Sequence, residues 1–242
     1  MKFLRRYKNY YFPIAALCVL GCSPDDLSAP SPTASPLPAG SEYYPLTIGQ
    51  YSTYNVEDIR YSLRDGADTM QYQLQERVTD SLTGAGGEII YTLERYSRSS
   101  SAATWQLDST WTARKSEQRL VVVENNIPFV KLIFPFQEAL EWDGNALNSR
   151  PEQTYLLTAT DSTLRREMGN NLLLKDCRTV IQRQLETLVN DSVMVETYSA
   201  NVGLVYRKNR ILQYCADENC IGQQLIESGR VYRQTLIEYG KN

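Results

Sequence analysis

The sequence predicts a mainly β fold, either a single antiparallel sheet, bulged and curved, or a partly closed barrel or sandwich, with little helix. Three observations carry this. Apolar residues recur with period two through most of residues 43–242, Gly, Asn and Asp clusters interrupt the chain at hairpin intervals, and Tyr, which suits strands, supplies 17 of 242 residues. Only residues 137–147 and 162–168 have the makeup of short helices. A composition 42% apolar and 22% charged is that of a globular chain. The complete lack of histidine removes Ser-His-Asp and Cys-His nucleophile systems and the commonest metal ligand.

Residues 1–21 read as a lipoprotein signal peptide. Lys2, Arg5, Arg6 and Lys8 form a basic start, and the apolar run from Tyr11 to Gly21 is far shorter than the ~20 residues a membrane span needs. Val19-Leu20-Gly21-Cys22 resembles the lipobox, with an aliphatic residue at −3 and a small one at −1. Cys22 is then the lipidation site, because a thiol at the junction can carry diacylglycerol as a thioether before cleavage. Cys18 fits less well, since Leu17 precedes it. Several acyl chains, at about 0.8 kcal/mol per buried CH₂, give a durable membrane anchor.

Residues 22–42 hold the lipidated Cys and a stalk in which residues 23–40 carry five of the ten prolines. In polyproline II form, at about 3.1 Å per residue, that stretch reaches roughly 55 Å. Asp25-Asp26 reads either as a surface-export tag or as a solvated pair, which places the chain at the cell surface or in the periplasm. Loss of residues 1–21 removes four cations and no acid, so the formal charge moves from −3 to −7. An acidic body without a basic stripe argues against nucleic acid.

Within the β domain, residues 43–242, buried strand faces are expected at Tyr72, Leu74 and Val78, at Trp105, Leu107 and Trp111, at Leu173, Cys177, Thr179 and Ile181, and at Val231, Thr235, Ile237 and Tyr239. The phase changes from Tyr54 and Val56 to Ile59, Tyr61 and Leu63, which predicts a β-bulge near Glu57 and Asp58. Turns are expected at 83–87, Asn125-Asn126, Asp143-Gly144, 169–171, Asn190-Asp191 and Ser228-Gly229, giving about ten strands.

Four segments carry a resemblance: Tyr44-Pro45-Leu46 with Gly49, Tyr54 and Val56; Trp142-Asp143-Gly144-Asn145-Ala146; Tyr198 with Val202-Gly203-Leu204-Val205-Tyr206; and the closing run from Arg233 to Tyr239. In this order they resemble envelope lipoproteins of Bacteroidota that have no assigned activity. Ser52-Thr53 stands where that family usually has an aromatic, and Asn201 where it has Gly. The resemblance implies an outer-membrane lipoprotein of the cell envelope and is silent on chemistry.

Cys215 and Cys220 are disulfide candidates, since four intervening residues let a loop join them in an oxidising compartment; pairing of either with Cys177 is the alternative. Trp105 and Trp111, with Tyr91 and Tyr96, make a candidate aromatic binding surface for sugars, although alternating aromatics in strands more often line a core. Glu138, Glu141 and Asp143 suggest a glycosidase or calcium site, yet Asp-Gly-Asn is ordinary turn chemistry. Arg165-Arg166 reads as a solvated pair. No metal site and no cofactor beyond the covalent lipid at Cys22 is expected. The function that follows is a non-catalytic binding or structural module whose partner is an envelope protein, a glycan or a lipid. The alternative is a lipid or lipoprotein carrier with an apolar concave sheet, and a carbohydrate-active enzyme ranks third. The inner face of the sheet discriminates the first two.

Overall fold

A computed structural model describes residues 38–160, 174 and 176–242, which belong to one compact unit, residues 37–242. Cys22, Arg165-Arg166, Leu173, the expected helix at 162–168 and the expected turn at 169–171 lie outside the described residues.

Twelve strands form one antiparallel sheet: β1 Gln50–Ser62, β2 Gly66–Thr83, β3 Ile89–Arg98, β4 Gln106–Lys115, β5 Arg119–Glu124, β6 Ile127–Ile133, β7 Glu141–Asp143, β8 Thr154–Ala159, β9 Cys177–Glu186, β10 Asn190–Ser199, β11 Gly203–Tyr214 and β12 Ile226–Lys241. The spatial order is β6-β5-β4-β3-β2-β1-β12-β11-β10-β9-β8-β7, two meanders joined where β1 pairs with β12. The edge strands are therefore β6 and β7, neighbours in sequence. They meet: Val130 N donates to Gly144 O at 3.0 Å, the Trp142 indole donates to Val130 O at 2.8 Å, and Asn148 Nδ2 donates to Pro128 O at 2.8 Å. Satisfying these edge groups nearly closes the sheet into a barrel, which leaves little open edge to recruit another chain.

Register shifts supply the curvature that closure needs. Ile237 is skipped between β12 and β1, Asp108 between β4 and β3, Lys131 between β6 and β5, Gln182 between β9 and β10, and Val205 between β11 and β10. The bulge expected at Glu57-Asp58 is thus displaced: the pairing slips between Thr53 and Tyr54, and the extra residue sits on the partner strand. For the same reason the closing strand turns Tyr232, Gln234 and Leu236 inward opposite Asp58, Val56 and Tyr54, instead of Val231 and Thr235. Val231 packs on the outside with Leu212 and Tyr214.

Two other expectations change. Residues 137–147 form no helix; they hold β7 and turns, with Ala139 at φ 55°, a left-handed conformation that ends regular structure. Ser228-Gly229 is no turn but part of β12, where Gly229 has φ 137° and an added Cβ would lie 2.3 Å from Ile211 O. Only glycine lets β11 and β12 approach there. Asn125-Asn126 does turn β5 into β6, both residues at positive φ (50° and 65°), as a two-residue I′ hairpin requires.

One end of the barrel is capped by the 3-10 turn Ser41–Tyr43, the sole helical element among the described residues. Tyr43 lies against Phe136 with ring centroids 5.0 Å apart, and Lys115 Nζ donates to Ser41 O and Tyr44 O at 2.9 and 3.0 Å. Ser41 is buried beside Tyr43, so the packed unit already includes residues 41 and 42, which the sequence assigns to the stalk.

Candidate functional site

The barrel interior is filled. At the capped end Leu93, Leu120, Leu132, Phe134, Leu157 and Val180 pack with Tyr44 and Tyr198. Past this layer come charged residues. Glu196 on β10 faces Arg207 on β11, and the unpaired position at Lys131 sends its side chain toward both. Lys131 Nζ lies 2.8 Å from Glu196 Oε1 and 2.9 Å from Glu124 Oε1, and Arg207 Nη2 lies 2.9 Å from Glu124 Oε1 and 2.8 Å from Glu196 Oε1. Two cations thus share two carboxylates in a four-membered lattice, and the Tyr198 hydroxyl donates to Glu196 Oε2 at 2.6 Å.

A second pair extends it. Glu76 faces Arg95 across β2 and β3 at 3.6 Å, and the Arg95 guanidinium lies 3.7 Å over the Trp111 ring. Desolvating several charges is expensive, and only complete pairing repays it. The titration behaviour reflects this balance. Burial opposes charge on Glu124, but Arg207 and Lys131 hold its carboxyl down at about 2, and the same cations lower Glu196 against its own burial. Lys131 stays raised, because Glu124 and Glu196 outweigh desolvation. Glu76 goes the other way: burial raises it in spite of Arg95 and Arg207.

The void beside Tyr44, Tyr54 and Glu76 measures only about 20 Å³, room for about one water. Among the described residues the inner face thus combines packed Leu, Val and Phe side chains with paired charges.

The outer face carries an open groove of about 420 Å³, within the range of small-ligand clefts. Asn55, Glu57, Gln71, Gln73, Arg233 and Thr235 line it, and residues 99–101 of the β3–β4 hairpin form a wall. Its side chains are prearranged. Arg98 Nε donates to Gln73 Oε1 at 2.8 Å, Gln73 Nε2 donates to Asn55 Oδ1 at 3.1 Å, and Arg233 pairs with Glu57. Arg98 also lies 4.2 Å over the Trp105 ring.

Trp105 and Trp111 do not form one surface. Skipping Asp108 reverses the alternation of β4, so half-buried Trp105 faces outward beside Arg98 while Trp111, 6% exposed, faces the core. The aromatic surface expected from both is corrected to Trp105 alone. Cys215 and Cys220 are joined by a disulfide with Cα atoms 5.8 Å apart, and Cys177 is the buried free thiol among the described residues. Glu138 and Glu141 are exposed, and Asp143 Oδ1 accepts from the backbone N–H groups of Asn145 and Gln153, which is turn architecture. No cluster of three metal-ligating side chains occurs among the described residues.

The interior lattice was not foreseen, although its signal is in the sequence. Lys131 between Val130 and Leu132, and Glu196 beside Val195, are lone charges in apolar strands, where solvent cannot be their partner. The outer groove corresponds to the polar half of the alternation in Gln71-Tyr72-Gln73-Leu74-Gln75.

Comparisons with protein-family models, with curated proteins and with solved structures give no match.

Proposed function

We propose that the protein is a lipid-anchored cell-envelope lipoprotein, akin to those of the outer membrane of Bacteroidota, whose barrel works as a non-catalytic binding module. The observation that carries the reading is the interior: among the described residues it is packed and ion-paired, which favours recognition on the outside. An acyl carrier needs an apolar chamber, which a 20 Å³ void beside a carboxylate does not provide. A membrane-embedded barrel needs an outward apolar band, whereas the outer face presents Asn55, Glu57, Gln73, Arg98 and Arg233. Attachment to the membrane therefore falls to the lipid on Cys22, and the periplasm or the cell surface is where the module meets its partner. Catalysis forms no part of the proposal, because the carboxylates singled out by sequence are exposed or occupied in a turn.

The test is metabolic labelling. Cells producing the protein should incorporate labelled fatty acid into it, and Cys22→Ser should abolish that label and leave an uncleaved or mislocalised precursor. Undiminished labelling of the variant would overturn the anchor.

A further inference from the structure

The outer groove combines features that point to one ligand chemistry. Arg98, Gln73, Asn55 and Thr235 follow one another across β3, β2, β1 and β12, four adjacent strands spaced about 4.8 Å apart. They form a row of polar side chains across the outer face of the sheet. The row is fixed before any ligand arrives. Gln73 spends its carbonyl on Arg98 and an amide proton on Asn55, so its orientation is set, and with Oδ1 of Asn55 accepting, Asn55 Nδ2 is turned out to donate. Such prearrangement reduces the ordering cost of binding.

Charge narrows the choice. Glu57 and Arg233 neutralise each other and Arg98 is spread over an indole, so the groove lacks the cation cluster that phosphate or nucleic acid requires. The lining mixes planar amide, carboxylate and guanidinium groups with the hydroxyls of Thr235, Ser99, Ser100 and Ser101. Planar donor and acceptor pairs match neighbouring hydroxyls of a sugar ring, and half-buried Trp105, stacked under Arg98, holds the guanidinium that fixes Gln73. An apolar ligand would strand these polar groups.

We propose that the groove between the β3–β4 hairpin and the outer face of β12, β1 and β2 binds a hydroxyl-rich glycan chain, held by Gln73, Asn55 and the Glu57–Arg233 pair, with Trp105 at its border. This deepens the binding-module reading and rests on it.

The experiment is native affinity electrophoresis of the full chain, purified in detergent, through gels containing mannan, xylan, dextran or polygalacturonate. At least one polysaccharide should retard the protein. Gln73→Ala and Trp105→Ala should each weaken that retardation about tenfold or more, while Trp105→Phe retains it, all at unchanged melting temperature. Retardation that survives both alanine substitutions overturns the groove and leaves a binding module acting elsewhere. No retardation by any of the four overturns the glycan assignment, whereas fatty-acid labelling of Cys22 reads the anchored module independently.

Discussion

Glu196 is 1% exposed and faces two cations, so its charge is part of the core and not of the surface. Glu196→Gln leaves Lys131 and Arg207 with Glu124 as their common anion. Breaking a buried pair from one side costs about 3–5 kcal/mol, against about 0–1 kcal/mol for a half-exposed pair such as Glu57–Arg233. Urea unfolding at pH 7 should separate Glu196→Gln from Glu57→Gln by that margin. The sign with pH follows from the depressed carboxyls: Glu124, at about 2, and Glu196 contribute stability that is complete above the unfolded value of 4.5 and is lost as pH falls toward 2. Glu76, raised by burial, opposes this in part. The wild type should lose stability steeply between pH 5 and 2, and the Glu196→Gln variant less so; parallel curves would contradict the lattice. The lone charges at Lys131 and Glu196 were legible in their apolar strands, but their pairing was not, because nothing local to either residue marks a partner 65 positions away.

At the scale of elements, alternation was legible and its phase was not. The period-two pattern located β2, β4, β9 and β12, but a bulge moves every following side chain to the other face, and its position depends on the partner strand. Trp105, Leu107 and the closing strand take the opposite face for this reason: Asp108 and Ile237 are the skipped residues, and neither has a sequence mark. Gly229 shows the converse, a residue with a clear mark whose meaning changed. Gly suggests a turn, yet here it permits contact with Ile211 O in mid-sheet. Gly229→Ala should lower stability by about 2 kcal/mol or more, through left-handed strain and the clash together. Gly66→Ala, at φ 74° with nothing within 4 Å, should cost only about 1 kcal/mol. Thermal melts of the two variants decide this, and equal shifts would show that β11 relaxes without penalty.

For the whole molecule, a mainly β chain with little helix was legible from periodicity and turns, whereas closure was not. A sandwich and a barrel share the same hairpins, and the difference lies in whether the edges of β6 and β7 meet, through bonds such as Val130 N to Gly144 O. Closure then makes the inner face an ion-paired core, and the proposal of an outer binding surface rests on that core being filled. Native mass spectrometry of the full chain tests that claim most directly, compared with a denatured spectrum of the same preparation. Lipid bound covalently at Cys22, as proposed, would persist in both spectra, so a filled barrel predicts no difference in lipid mass between them. A phospholipid or fatty acid present in the native spectrum and released on denaturation would contradict the account.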